Sequence, residues 1–174
     1  MDISQDHFAL FGLPRRYALD EAQLSSLYHV LSAQVHPDKF AHLSEAEQRL
    51  AMQRTTRVNE AYQTLRQPLA RAKYLLGLAG IDVDQGREMS GEFLMQQMEW
   101  REMVADARAA SDVARLEDFL QQLQRDVAKE YAKLAQQLQT YPDAAAASVK
   151  LVRQLMFQEK LLHDIDEALT AAEA

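Results

Sequence analysis

The sequence of 174 residues contains no cysteine. Disulfides and thiolate metal ligation are therefore excluded, and the absence fits a reducing compartment. Glycine and proline are scarce, at five and four residues. With so few breakers and abundant Ala, Leu, Gln and Glu, the chain reads as mostly helical. No stretch approaches the roughly 20 consecutive apolar residues that a membrane span needs. The start, Met1-Asp2-Ile3-Ser4-Gln5-Asp6, is acidic with no apolar run behind it. It does not read as a signal peptide, so a cytoplasmic protein is expected.

What is present is ordinary in bulk and uneven in detail. Apolar residues make up 48% and charged residues 26%, values typical of a globular domain. The net charge of −7 is not shared equally, since residues 1–76 hold nine Lys/Arg against eight Asp/Glu and residues 77–174 hold ten against eighteen. An acidic second half argues against nucleic-acid or anionic-membrane partners.

Hydrophobic periodicity predicts an all-α fold. A short helix covers about residues 6–13 and ends at Pro14. Asp20, with Gln23 three residues later, opens a second helix. Its stripe of Leu24, Leu27, Tyr28, Leu31 and Val35 follows helical spacing, and Pro37 stops it. Ser44 and Glu47 form a capping box for a third helix, striped by Val58, Ala61, Tyr62 and Leu65, that runs to about Arg66. Two facing amphipathic helices with a short connection form an antiparallel hairpin, which places His36-Pro37-Asp38 at its tip. A further short helix spans about residues 69–78.

Residues 80–91 are the one polar, breaker-containing stretch of any length. They are expected to link a domain at residues 1–79 to a three-helix domain at residues 92–174. In that second domain the middle helix carries Leu116, Leu120, Leu123, Val127, Tyr131, Leu134 and Leu138, and the last carries Leu151, Leu155, Leu162, Ile165 and Leu169. Both stripes step by three and four residues, as in coiled-coil packing.

The His-Pro-Asp tip admits several chemistries. A catalytic dyad needs a nucleophile and an oxyanion donor, and no Gly-rich nucleophile turn is present. A metal site needs three or four converging ligands, and His29, His36 and His42 have no ligand-spaced partner motif. A rigid recognition turn needs only what is there: Pro37 fixing the backbone while His36 and Asp38 present a donor and a charge. An Asp that merely caps a helix is the plain structural alternative.

The surrounding segments narrow the choice. HFALFGLPRRYALD, HPDKF and NEAYQTLRQPLARAKYLL occur in the order of a J domain, and residues 1–76 resemble one. That resemblance implies docking onto the nucleotide-binding part of a DnaK-type chaperone through His36, Pro37, Asp38 and Lys39, with Asp38 pairing an arginine of the chaperone. One departure stands out. J domains carry a basic face on the helix before the loop, whereas residues 20–35 here contain no Lys or Arg. Docking charge would then fall to Arg15, Arg16, Lys39, Arg49, Arg54 or Arg57.

On a helical wheel with Phe93 at zero, Gln97, Trp100, Val104 and Ala107 fall within about 40° of one line, the expected core. Leu94, Met95 and Met98 fall at about 100°, 200° and 140°, away from it. Phe157 leaves the core line of the last helix by about 120°. An apolar cluster rimmed by Glu99, Arg101 and Glu102 has the composition of a partner site, although a wider core face would also accommodate it.

The whole chain resembles the HscB family, the J-type co-chaperones of bacterial iron–sulfur cluster assembly, with FLMQQMEWREMV matching that family's client-binding helix. The resemblance implies that Leu94, Met95, Met98, Glu99, Arg101, Glu102 and Phe157 bind the cluster scaffold protein IscU. It also implies that the partner chaperone is the specialised DnaK-type protein HscA, that no cofactor or metal is held, and that the chain is not an enzyme. A J-domain co-chaperone dedicated to another client is the alternative expectation.

Overall fold

The computed structural model describes residues 4–40, 44–85 and 89–173. The side chains of Pro37, Asp38 and Glu173 lie outside the described set, as does His42. Every regular element in the described residues is helical, and contacts divide the chain into two units, residues 1–79 and 80–174.

The first unit opens with α1, His7–Leu10. Asp6 caps it by accepting the Phe8 and Ala9 N–H groups at 2.9 and 3.0 Å. Arg15 clasps the same carboxylate at 2.7 Å. Gly12, at φ +65°, takes the left-handed conformation that lets the chain leave α1. Asp20 caps α2, Glu21–Val35. Ser44 and Glu47 exchange the two bonds of a capping box at the start of α3, Glu45–Arg66. Pro68 occupies the first turn of α4, Pro68–Leu78, where its missing N–H costs nothing. Gly80, at φ +78°, follows it.

The core of this unit is set by the stripes read from the sequence. Leu24, Val35, Val58, Ala61 and Leu65 are buried together with Phe8, Phe11, Leu75 and Leu76. The α2–α3 hairpin is braced by Tyr28, whose ring stacks on Tyr62 at 4.0 Å and whose hydroxyl reaches Asn59 Oδ1 at 3.1 Å. Arg71 of α4 is also buried. It donates to the Leu65 carbonyl at 2.7 Å, and its guanidinium lies 5.0 Å from the Tyr17 ring centre.

The second unit contains α5, Gly91–Ala109, α6, Val113–Gln137, and α7, Ala145–Glu173. Ser111 makes the α5–α6 corner with φ +51°, and Asp112 caps α6 through the Arg115 N–H at 3.1 Å. Helices α6 and α7 pack along most of their length, and α5 lies against both. The segment after Gly80 belongs to this unit. Val83 is buried, and Arg153 of α7 donates to the Val83 carbonyl at 2.8 Å and to that of Gln85.

One stripe differs from the sequence reading. Leu155 and Ile165 are buried as expected, but Leu161 and Ala168 are buried where Leu162 and Leu169 were expected, and those two leucines are only half-buried. A seam that repeats every 3.5 residues drifts back by about 20° per heptad on a 3.6-residue helix. Toward its C-terminal end, α7 has therefore turned Leu161 and Ala168 toward its neighbours.

Candidate functional site

The first candidate surface is the tip of the α2–α3 hairpin. Helix α2 ends at Val35, and His36 leaves it at φ −57°, ψ 128°, the extended conformation that a following proline imposes. Residues Pro37–Phe40 then form one 3-10 turn, closed by the Lys39 N–H to the His36 carbonyl at 3.1 Å. His36 and Lys39 are exposed. Thr55 ties the turn to α3. Its hydroxyl lies 2.8 Å from the carbonyl of Val35 and 3.0 Å from that of Ala51. The Val35 carbonyl stands at a helix end, where it has no partner in its own helix, so Thr55 supplies the missing donor.

The second lies on α5 and α7. Ser90 caps α5 through the Phe93 N–H at 3.3 Å and so sets the phase of the helix. Phe93, Val104 and Ala107 are buried on the core line. Leu94, Met95 and Met98 stand on the opposite side, 47%, 66% and 71% exposed, and Glu99, Arg101 and Glu102 are exposed around them. Three neighbouring apolar side chains left this exposed form a patch that folding alone does not account for.

Phe157 of α7 packs between the core residue Phe93 and the rim residue Arg101. It is half-buried, meets Phe93 edge-on at 5.9 Å and stacks on Trp100 at 6.2 Å with 13° between planes. Arg101 covers its outer face, with the guanidinium carbon 5.1 Å from the ring centre. Phe119 of α6 extends the aromatic group by packing on Trp100 at 6.3 Å. Trp100, assigned to the core line by the wheel, is half-buried and forms the middle of this platform. Phe119 was missed in the sequence reading, although it lies three residues after Leu116 and so on an adjoining face.

The arrangement is suited to recognition. The apolar residues offer area, the platform holds Phe157 and Arg101 in place, and the carboxylates of Glu99 and Glu102 set a polar rim. Among the described residues, no group of three or more His, Asp or Glu side chains could hold a metal ion, and no helix is long and apolar enough to cross a membrane.

A short helix, an antiparallel hairpin and a His-Pro-Asp turn at its tip define a J-domain protein, here with a second helical unit attached. Comparison with known families agrees in both halves. Residues 6–74 match the DnaJ domain, and residues 89–166 match the HscB C-terminal oligomerisation domain. The chain is 51% identical over 175 residues to the co-chaperone protein HscB homologue of Azoarcus sp. (strain BH72), covering 99% of this chain and 98% of that one. It is 50% identical over 169 residues to the homologue of Ralstonia nicotianae (strain ATCC BAA-1114 / GMI1000), covering 95% of each. Among solved structures it superposes on the chaperone HscB from Vibrio cholerae with a TM-score of 0.84 at 36% identity, covering 97% of this chain and 99% of that one. Human co-chaperone protein HscB gives a TM-score of 0.86 at 27% identity, covering 96% of this chain and 83% of that one. The chain belongs to the HscB family of J-domain co-chaperones. Membership implies a DnaK-type chaperone as its partner.

Proposed function

We propose that the chain stimulates the ATPase of the specialised DnaK-type chaperone HscA and delivers the iron–sulfur cluster scaffold protein IscU to it in the cytoplasm. In this reading the two surfaces divide the work. The turn at His36, Pro37, Asp38 and Lys39 engages the chaperone. Leu94, Met95, Met98, Glu99, Arg101, Glu102 and Phe157 hold the scaffold. The cluster is cargo of the scaffold, and this chain contributes binding and no catalytic group.

The observation that carries the reading is the exposed trio Leu94, Met95 and Met98 beside an aromatic platform, in a chain whose other unit is a J domain. Binding scaffold and chaperone with one chain turns their encounter into an intramolecular event and raises the effective concentration of each for the other. Methionine suits such a surface because its unbranched side chain repacks against varied partners.

The test is separation of function. His36→Gln is expected to abolish stimulation of HscA while scaffold affinity, read by calorimetry, is unchanged. Loss of both activities in a folded His36→Gln protein would contradict two independent surfaces.

A further inference from the structure

The segment that precedes α5 is gripped from α7. Arg153, half-buried, donates from Nε to the Val83 carbonyl at 2.8 Å and from a terminal guanidinium nitrogen to the carbonyl of Gln85. Val83 is buried, and the Asp84 N–H closes a small turn on Asp82 Oδ1 at 2.9 Å. Residues 77–174 hold eighteen Asp and Glu, yet the acceptors of these two bonds are main-chain carbonyls. A planar guanidinium with two donors on one short stretch of main chain fixes the path of that stretch as well as its position.

Helix α5 is lightly anchored without such a grip. Of its nineteen residues, Phe93, Val104 and Ala107 are the buried ones. Phe93 and Val104 stand about 16 Å apart along the axis. Leu94, Met95 and Met98 lie in that interval, so the half of α5 that presents them has Phe93 as its core anchor and the half-buried Trp100 behind it. The Arg153 grip lies on the side of α7 that this half of α5 meets. On a wheel with Arg153 at zero, Phe157 falls at about 40°, Lys150 at about 60° and Gln154 at about 100°. Phe157 meets Phe93 edge-on, and Lys150 and Gln154 line one cleft with Ser90, Phe93 and Met95. The gripped segment and the start of α5 are thus docked on neighbouring strips of α7, with residues 86–90 joining them in sequence.

We infer that residues 83–85 are a strap, held by Arg153, that fixes where α5 begins, and that Arg153 is a positioning residue for the client surface. It acts through the main chain and does not have to touch the client. With its two bonds removed, the connection leading into α5 is held less closely to α7, and the start of the helix is less confined against Phe157. A surface ordered in advance gives up less freedom on binding than one its partner must order. Part of the binding free energy would then go into restoring the arrangement of Leu94, Met95 and Met98.

The inference rests on the proposed binding of IscU, and the experiment separates the two. Affinity of the full-length chain for IscU is measured by calorimetry, and amide hydrogen exchange is followed in the free chain. Arg153→Ala is expected to weaken binding about fivefold. It is also expected to speed exchange in residues 95–100 while the α6 core around Leu123 and Val127 keeps its rates. Arg153→Lys keeps the charge and loses the two-pronged grip, so its affinity is expected to fall between the two. Val83→Ala loosens the same strap from its buried side. Combined with Arg153→Ala, it is expected to weaken binding by less than the product of the single effects. An unaltered chain that does not bind IscU sinks the proposed function and this inference with it. An unaltered chain that binds, alongside a folded Arg153→Ala protein of the same affinity, overturns this inference alone. So does weakened binding with exchange quickened equally in α6, which marks a general loss of stability, and so does a double variant whose effects multiply. Should Arg153→Ala fail to fold by circular dichroism, the same two readouts on Arg153→Lys decide the matter.

Discussion

The Thr55 hydroxyl stands 2.8 Å from the carbonyl of Val35, the last residue before the His-Pro-Asp turn. The bond gives a helix-end carbonyl its partner and fixes where the turn leaves the hairpin. Thr55→Val keeps the shape of the side chain and removes the donor. It is expected to cost about 1 kcal/mol of stability, read from chemical denaturation. It is also expected to lower chaperone stimulation at limiting concentration, because the turn loses its tie to α3. An unchanged denaturation midpoint would show that the bond carries no weight.

The off-core cluster makes a sharper demand. Leu94, Met95 and Met98 contribute little to the core, so changing all three to Ala is expected to alter stability by less than about 0.5 kcal/mol per site. The same triple variant is expected to weaken scaffold binding by tenfold or more in calorimetry, since anchors of this kind dominate interface energy. Arg101→Ala uncovers Phe157 and is expected to weaken binding by a smaller factor. A triple variant that melts early but binds normally would reassign the cluster to packing.

Acid sensitivity follows from α1. His7 is buried, stacks on Tyr74 at 4.1 Å, and its Nδ1 has no partner among the described residues. Burial first, and the nearby Arg57 second, hold its pKa below the ordinary value, while Glu60 and Asp6 oppose the shift. In the unfolded chain the ring titrates near about 6.5. Below that pH the unfolded chain takes up a proton that the folded one resists, so stability is complete above it and falls as the pH drops through it. His7→Phe keeps a ring against Tyr74 and removes the titration. Its denaturation midpoint between pH 7 and pH 5 is expected to be flatter than that of the unaltered chain, and parallel curves would contradict the assignment.

Much of this architecture was legible because its signals are local. Asp20 and Ser44 cap the helices that their spacing announced, and the wheel about Phe93 separated Leu94, Met95 and Met98 from the core. What could not be read depends on contacts between residues distant in sequence. Nothing in the neighbourhood of Trp100 shows that it will stack on Phe157, or that Phe119 will complete the platform from a third helix. The swap of Leu161 and Ala168 for Leu162 and Leu169 has a similar origin, because a straight-wheel reading ignores the drift of a packed seam.

The two surfaces meet in one measurement, steady-state ATP hydrolysis by HscA with this chain alone, with IscU alone, and with both. The account predicts stimulation by the chain alone, and a rate with both that exceeds the product of the two separate stimulations. It also predicts that the Leu94, Met95 and Met98 triple variant loses the excess and keeps the stimulation. A rate with both no greater than that product, or a chaperone indifferent to the chain, would contradict it.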